Sequence, residues 1–435
     1  MQVTTSYKIK ITNDNLFNDT LNIYRGALSY LIDVVNMEWE QVKGIAYSNS
    51  QVMFVERLIH RTSKRCPKYD FDDGFYKFPS YLRRAAINEA IGKVLSFHTS
   101  YDNWLNSEKK GNPPVLQLKR FDYPIFFRDN MYIRLDDYTA SIKVYLNNDW
   151  VWRVVSLRKS DVDYIQRHKA GSRETVPTLQ KIGKNWYLRF AFVDKVELVN
   201  KANVIVSVDL GINNAAVCSA ILPDGTVMGR KIISFPVEKD RLDHMLNKLK
   251  KAQQNGAKHA PRLWAYVNNQ NRRLSEKTAG AIMEFAFRYK ADVIVFEHLD
   301  MKGKKKGSKR QRLHMWKKKA VIAMVTSKAH LSRMRVSTVC AWNTSKLAYD
   351  GSGDVERDKD NYSICTFTNG KRYHSDLNAS YNIGARYHIR ETLKSLPATI
   401  RLAVEAKVPH LAKRTTCSLS DLISLNAELM RYTAY

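Results

Sequence analysis

The strongest constraint on the fold comes from two apolar, β-branched runs that each end in a carboxylate. Asp209 ends the run VIVSVD, and Glu297 follows ADVIVF. Such runs are typical of strands that are buried in a sheet, where an acid is costly to bury without a cation or a partner. A third acid, Asp376, opens the helix-like segment HSDLNASYNIGAR. Carboxylates on separate segments of this kind can meet across a sheet and hold divalent cations for phosphoryl transfer.

The charge of the chain indicates a polyanionic partner. Lys and Arg total 71 against 42 Asp and Glu, which gives a formal charge of +29 over 435 residues. A compact protein with this surplus repels itself unless a polyanion neutralises it, and nucleic acid is the natural candidate. The alternative is a merely basic surface, as in some ribosome-associated proteins.

Cysteine usage and the N-terminus indicate a soluble protein of a reducing compartment. The five cysteines are scattered and odd in number, which argues against a disulfide framework. The opening residues, MQVTTSYKIKI, contain no apolar block of the signal-peptide kind, and no apolar run reaches transmembrane length. We therefore expect a cytoplasmic location.

The N-terminal half combines helices with short strands. Residues 2–11 alternate as a strand does, and helical patterns follow from about residue 14. From 115 to 195, short alternating stretches bounded by Asp, Asn and Gly predict a small antiparallel barrel that the first strand joins. Beyond residue 200, strands alternate with long helical segments, and the last forty residues have a helical pattern that is hard to place.

The three acidic motifs resemble a known nuclease family. The segments DLGINN, FEHL and DLNASYNIGAR, together with RLHMWKKK, resemble the RuvC-type RNase H core of TnpB-type transposon-associated RNA-guided nucleases and compact type V CRISPR effectors. The matching motifs span residues 200–390. Residues 1–195 resemble the family only in architecture. The resemblance implies a multidomain α+β fold, with a wedge barrel, a helical recognition region and a RuvC-like α/β nuclease domain in a prokaryotic, nucleoid-associated protein.

The resemblance also implies domain boundaries. We predict a β-barrel wedge domain at 1–13 and 112–198, with a helical recognition domain inserted at 14–111. The RuvC-like nuclease domain then spans 199–340 and 373–395. A degenerate zinc-ribbon-like insert occupies 341–372, and a helical tail occupies 396–435.

The implied chemistry is two-metal hydrolysis of DNA. Asp209 would bridge two Mg²⁺ or Mn²⁺ ions, and Glu297 and Asp376 would complete the metal site. Arg357 is a candidate contact to the scissile phosphate, with an ordinary surface arginine as the alternative. Asparagines at family positions would orient ligands or cap helix ends; they are Asn214, Asn378 and Asn382. Trp316 would pack the helix that covers the site.

The implied partners are a structured guide RNA and double-stranded target DNA, which the protein would recognise beside a short adjacent motif. Arg83 and Arg84 are candidates for contacts with nucleic-acid backbone. The stretch Lys302–Lys319, with ten Lys or Arg and no acid, is another candidate. Its candidate contacts are Lys304, Lys305, Lys306, Lys309, Arg310 and Arg312. The sequence leaves monomer and homodimer open.

One motif departs from the family. Relatives carry a four-cysteine zinc ribbon between the second and third acids. This chain has Ala348, Gly351, Cys365 and Thr368 at the ligand positions. One thiolate cannot form a structural tetrahedral zinc site, so we predict no zinc. Residues 344–372 must then be held by hydrogen bonds and packing, or stay mobile until nucleic acid binds.

Two alternative functions stay open at this point. A DNA-only transposase or nuclease of the same fold would use the same acids without RNA. An RNA-guided repressor would bind DNA with little cleavage. The retention of all three acids favours hydrolysis, whereas the lost zinc ligands weakly favour the repressor.

Overall fold

The computed structural model describes residues 1–12, 14–107, 109, 111–117, 123–211, 213–257, 259–298 and 318–433. The chain divides into two compact units, one of residues 2–194 and one of residue 1 with residues 195–435. The division lies close to the predicted domain boundary after residue 198.

The strands of the first unit form two sheets. In chain order they are β1 (Gln2–Lys10), β2 (Tyr132–Arg134), β3 (Thr139–Leu146), β4 (Asp149–Ser156), β5 (Arg173–Glu174), β6 (Thr178–Ile182) and β7 (Asn185–Lys195). One sheet has the order β1-β7-β5 with β6 also on β7, and the other has the order β2-β3-β4. The pairing of Ile11 with Leu157 bridges the two sheets. The first strand therefore joins the later strands as predicted, but the described strands form two bridged sheets instead of one continuous barrel.

The helices of the first unit cover the predicted recognition region and share one core with its sheets. Along the first helix, one apolar face is buried, with Leu28 and Leu31 fully inaccessible. A helix between β4 and β5 was not predicted. The helices are α1 (Leu16–Met37), α2 (Trp39–Lys43), α3 (Ser48–Ile59), α4 (Phe71–Gly74), α5 (Ser80–Asn106) and the unpredicted α6 (Lys159–Lys169).

The second unit is built on a mixed sheet. Its strands are β8 (Ile205–Asp209), β9 (Ala216–Ile221), β10 (Val227–Ile233), β11 (Val293–His298) and β12 (Arg335–Cys340). The order is β10-β9-β8-β11-β12. Neighbours among β8, β9 and β10 run antiparallel, whereas β8, β11 and β12 run parallel. A small antiparallel sheet lies in the insert and comprises β13 (Glu356–Arg357), β14 (Ile364–Thr366) and β15 (Arg372–His374).

Helices cover both faces of the mixed sheet. Val206 and Val208 lie in one apolar cluster with helix residues of 261–288 and 318–331, whereas Ile205 lies in another with helix residues of 375–395 and 419–433. This alternation explains why the strands are continuously apolar. The tail, which the sequence left unplaced, packs Leu422 and Leu425 into the second cluster. The helices are α7 (Pro236–Gln254), α8 (Pro261–Arg288), α9 (Lys318–Leu331), α10 (Ser375–Ser395), α11 (Ala398–Lys407) and α12 (Leu419–Thr433), with 3₁₀ turns at Pro409–Ala412 and Arg414–Thr416.

Small residues let α10 approach the sheet closely. A Cβ atom on Gly384 would lie 2.5 Å from Cδ1 of Ile221 and 3.2 Å from Oγ of Ser207. Nearby, the buried hydroxyls of Ser219 and Ser380 lie 2.5 Å apart. These contacts hold the first half of α10 against β8, which carries Asp209, and against β9.

No described helix is both long and apolar enough to cross a membrane.

Candidate metal-binding active site

Strand register places the first two acids side by side. In the parallel pair β8 and β11, Val208 lies opposite Phe296, and the next residues are Asp209 and Glu297. Val208 and Phe296 pack in the cluster with α8 and α9. Because side chains alternate along a strand, the two acids point to the opposite face, which α10 covers.

The third acid lies in the first turn of α10. Asn214, in the loop between β8 and β9, donates a hydrogen bond from Nδ2 to Oδ2 of Asp376 over 2.9 Å. The helix N-terminus also favours a negative charge at this position. Asp376 is thereby held beside the loop that follows Asp209.

The three carboxylates interact electrostatically. Burial, and then the charges of Glu297 and Asp376, hold the pKa of Asp209 well above its ordinary value. Burial also raises the pKa of Glu297. The structure thus brings Glu297 and Asp376, two of the acids predicted from the sequence, within electrostatic range of the third, Asp209.

A buried lysine accompanies the acids. Nζ of Lys318 lies 3.7 Å from Oε1 of Glu297 and donates to the Glu297 main-chain carbonyl over 3.3 Å. The Lys318 side chain is 10% exposed and that of Glu297 is 9% exposed. Burial lowers the pKa of Lys318, and the negative charges of Glu297 and Asp209 oppose this effect. From the sequence, Lys318 was predicted to contact nucleic acid as part of the basic stretch. The apolar run AVIAMV, which begins two residues after Lys318, is the signal that the stretch ends there.

Arg357 lies at the edge of the site. It is half-buried on β13, and its positive charge favours the ionised form of Asp209. Its guanidinium carbon is 5.9 Å from the centre of the Tyr362 ring. This position suits the predicted phosphate contact, which stays a prediction.

The residue types at the site suit a divalent cation, but the carboxylates are not close enough together to hold one. Carboxylate and amide oxygens are the ligands that Mg²⁺ and Mn²⁺ prefer. Within the described ranges, however, no three His, Cys, Asp or Glu side chains come close enough together to hold a metal ion. Lys318 and Asn214 contact the carboxylates of Glu297 and Asp376 instead. The residue types fit divalent cations, and coordination requires the carboxylates to move closer together.

The two asparagines of α10 form hydrogen bonds with the main chain of residues 344–349, and not with the carboxylates of the site. Asn378 donates to the carbonyl of Leu347 and accepts from the amide of Tyr349, both over 2.8 Å. Asn382 donates to the carbonyls of Thr344 and Leu347 over 3.0 and 2.8 Å. Both asparagines are fully buried. Of the predicted asparagines, Asn214 orients an acid, and Asn378 and Asn382 anchor the insert.

Arg386 extends this row by one more helical turn. Its Nη1 donates to the carbonyls of Cys340 and Trp342 over 2.9 and 2.6 Å, and its Nε donates to the carbonyl of Cys417 over 3.0 Å. A spacing of four residues places Asn378, Asn382 and Arg386 on one helix face. Sequence analysis missed Arg386, although this spacing could have revealed it.

The insert is held by packing and hydrogen bonds. Ala348, Cys365 and Phe367 form a small apolar core. Thr368 donates from its hydroxyl to the carbonyl of Ser352. Cys365 donates from Sγ to the carbonyl of Tyr373 over 3.4 Å, and burial raises the pKa of its thiol. The structure thus shows residues 344–372 held by packing and hydrogen bonds, which is the first of the two arrangements predicted from the sequence. The absence of zinc stays a prediction.

The nucleic-acid candidates separate into three groups. Arg83 is 5% exposed, and its Nη2 lies 3.0 Å from Oε1 of Glu56, which gives it a packing role. Arg84 also contacts Glu56, over 2.9 Å, but its side chain is 52% exposed, so a backbone contact stays a prediction for Arg84. Several candidates, and Trp316, lie outside the described residues: Lys304, Lys305, Lys306, Lys309, Arg310 and Arg312.

Comparison with known proteins gives a sequence family for one part of the chain. The Aq_aa04 family model matches residues 3–146, which is less than half of the chain. No curated protein matches the sequence.

Solved structures match much more of the chain. A cryo-EM structure of a Cas12f1–sgRNA–target DNA complex has a TM-score of 0.53 and 16% sequence identity, over 85% of this chain and 81% of that chain. This chain is therefore similar in fold to the Cas12f1 protein of that complex. The mini RNA-guided endonuclease CRISPR-Cas_phi3 matches with a TM-score of 0.47 and 11% identity, over 88% and 92% of the two chains. C2c1 of Alicyclobacillus acidoterrestris with single-guide RNA matches with a TM-score of 0.40 and 11% identity, over 85% and 66%. The Cas12f1 match confirms, at the level of the fold, the resemblance inferred from the acidic motifs.

Proposed function

We propose that this protein is an RNA-guided DNA endonuclease that hydrolyses phosphodiester bonds at the Asp209, Glu297 and Asp376 site. The observation that carries the proposal is the register of β8 and β11, which sets Asp209 beside Glu297 on the face covered by α10. Asp376 begins that helix. A mixed sheet with helices on both faces supports the RNase H-like, RuvC-type domain that the sequence motifs imply.

The proposed cofactors are two Mg²⁺ or Mn²⁺ ions held by the three carboxylates. Such ions would activate water and stabilise the leaving oxygen of the phosphodiester. Asn214 orients Asp376 through its amide, and Arg357 would neutralise the phosphate beside Asp209. Burial of Asp209 and Glu297 makes each contact in the site stronger than it would be in water.

The proposed partners are a structured guide RNA and double-stranded DNA. The Cas12f1 structure with a similar fold is a complex with sgRNA and target DNA. The net charge of +29 supports a channel for two polyanions. Base pairing would select the target, while the protein holds the heteroduplex backbone and reads a short adjacent motif.

Two linked experiments test this function. The protein is expressed with its native flanking locus, and the RNA that survives purification is sequenced. We expect a defined scaffold joined to a locus-matched variable segment. The matching DNA is then incubated with the complex and MgCl₂, with Asp209→Ala as the inactive variant. Glu284→Ala, on the exposed surface of α8, is the matched control, since Glu284 is 63% exposed.

The outcomes separate the candidate functions. Guided cutting that Asp209→Ala abolishes and Glu284→Ala retains supports the proposal. Cutting without any defined RNA would indicate a DNA-only nuclease or transposase. Guided binding without cutting would indicate a repressor, which is favoured by one observation: the described acids are not close enough to hold a metal as they stand.

A further inference from the structure

The acids of the candidate site are buried together with one lysine. Asp209 ends β8 and Glu297 lies level with it on β11. Lys318 begins α9, with its ammonium 3.7 Å from the Glu297 carboxylate and 3.3 Å from the Glu297 carbonyl. Lys318 and Glu297 are each 8% exposed as whole residues. A lysine and a glutamate are almost never buried to this degree unless they are paired.

The geometry places one ammonium against the buried carboxylate of Glu297. Asp209 lies level with Glu297 on the neighbouring strand, so a second carboxylate lies close to the same positive charge. Removing one partner from a buried ion pair is strongly destabilising, because it leaves an uncompensated charge. Arg357 and Arg386 also act on the acids, but Arg386 donates to three main-chain carbonyls, and Arg357 lies on the small sheet of the insert. Among the residues that the structure describes, Lys318 is the cation in direct contact with the Glu297 carboxylate.

We propose that Lys318 is a positioning residue that supplies the counter-charge for Glu297 and Asp209 while no divalent cation is bound, and that a bound cation takes over this charge. The inference rests on the proposed function, because it assumes that the carboxylates bind metal. It also explains why no three described acids lie close enough together to hold a metal ion, since the ammonium of Lys318 occupies the space beside the Glu297 carboxylate.

Two opposite consequences follow for a variant that lacks the charge. Without metal, the acids lose their counter-charge, so the protein is less stable. With metal, the cation no longer competes with an ammonium for Glu297, so it binds more tightly. A lysine that only fills space would produce the first effect without the second.

The test compares Lys318→Met with Lys319→Met in the full-length protein. Met preserves the length of the side chain and removes the charge. Lys319 is the matched control, because it is the exposed neighbour in the same helix. Thermal unfolding is measured in EDTA and in MgCl₂, with NaCl at matched ionic strength. Affinity for MnCl₂ is measured by calorimetry.

We expect Lys318→Met to lower Tm by several degrees in EDTA and MgCl₂ to restore most of this loss. We expect its Kd for MnCl₂ to fall about tenfold, as removal of a unit charge a few ångströms away allows. Lys319→Met should match the wild type in every measurement. An unchanged Tm in EDTA, or an unchanged or higher Kd for MnCl₂, would overturn the proposal.

A double variant keeps the test decisive if Lys318→Met does not fold. Lys318→Met combined with Glu297→Gln should fold and unfold near the temperature of Glu297→Gln alone, because the carboxylate in direct contact with the Lys318 ammonium is then uncharged and only Asp209 still lies near it. Failure of this double variant to fold would show that the lysine stem, and not its charge, is required. DNA cutting is measured separately. If the two substitutions are coupled in their effect on Tm in EDTA but no cutting is seen, the proposed function alone is rejected. If their effects on Tm are not coupled, the role of Lys318 is rejected.

Discussion

Nδ2 of Asn214 donates to Oδ2 of Asp376 over 2.9 Å, which joins the loop after β8 to the first turn of α10. The two residues are 162 positions apart in the chain. This hydrogen bond fixes one oxygen of the third acid relative to the strand that carries the first. It connects the two segments whose relative position decides whether the three carboxylates can share cations.

The first prediction concerns this hydrogen bond. Asn214→Ala should reduce single-turnover DNA cleavage about 10- to 100-fold, which is the usual cost of losing a group that orients a metal ligand. Guide RNA and target DNA should still bind, because Asn214 is a half-buried loop residue whose side chain bonds to Asp376. Asn213→Ala is the control, since its exposed side chain lies next in the same loop. Equal cleavage by Asn214→Ala and Asn213→Ala would show that the amide does not orient Asp376.

The second prediction concerns the close approach of α10 to the sheet. Gly384→Ala places a methyl group 2.5 Å from Cδ1 of Ile221 and should destabilise the protein by about 1–3 kcal/mol. Gly280→Ala is the matched control within α8, where no atom lies within 4 Å of the added Cβ. That change should stabilise by up to about 1 kcal/mol, because Ala is the better helix former. Urea unfolding measures both, and a Gly384→Ala protein as stable as the wild type would contradict the packing.

The third prediction concerns the row of anchors on α10. Asn382→Leu removes the donors to the carbonyls of Thr344 and Leu347 and should cost about 1–3 kcal/mol, the penalty for unpaired buried groups. Hydrogen exchange should increase within residues 341–372. Asn369→Leu, at an exposed position of the same insert, should change exchange only near its own turn. Unchanged exchange in Asn382→Leu would show that the insert is held independently of α10.

The strands that carry Asp209 and Glu297 could be predicted because their information is local. A continuous apolar, β-branched run predicts a buried strand without reference to the rest of the chain. The register of β8 and β11, which makes the two acids neighbours, is a long-range pairing across 88 residues and emerges only in the fold. The identity and order of the acids could be read from the sequence. That Asp209 and Glu297 lie side by side, on the same face of the sheet, could be seen only in the structure.

Other candidate residues could not be placed from the sequence, because their positions depend on partners that are distant in the chain. Arg83 resembles any basic residue at a helix start, and it is turned inward by Glu56, 27 positions earlier, and by Asp72. Lys318 is one of ten basic residues in a stretch that looks uniformly solvated. Its burial follows from the contact with Glu297, which no periodicity encodes. Charged residues that are buried by one partner therefore look like surface residues in a single sequence.

The fourth prediction concerns the insert and metal removal. Purified protein should contain far less than one zinc per chain by elemental analysis, because Cys365 is the one thiol among the four ligand positions. EDTA should leave hydrogen exchange in residues 341–372 unchanged. Phe367→Ala should increase exchange there, since it removes the largest side chain of the core that Phe367 forms with Ala348 and Cys365. Stoichiometric zinc, or an insert that unfolds in EDTA, would contradict this description.

The fifth prediction concerns pH and His388, which is buried on α10 with its Nε2 3.2 Å from the carbonyl of Ile221. Burial lowers the pKa of His388 in the folded protein. Below the unfolded pKa of about 6.5, the unfolded chain therefore binds a proton that the folded chain does not, and stability falls as pH decreases, by at most about 1.4 kcal/mol per pH unit. The fall ends at the folded pKa.

Substitution of His388 isolates its share of this pH dependence. His388→Gln keeps a donor near the Ile221 carbonyl but cannot take up the proton, so its stability should decline less between pH 6.5 and pH 5 than that of the wild type. His259→Gln, at an exposed position, should follow the wild type over the same range. Chemical unfolding at each pH measures the free energy of unfolding. If the free energy of unfolding depends on pH in the same way for the wild type and His388→Gln, His388 binds the same number of protons in the folded and unfolded states. The contact between α10 and β9 then does not require a neutral His388.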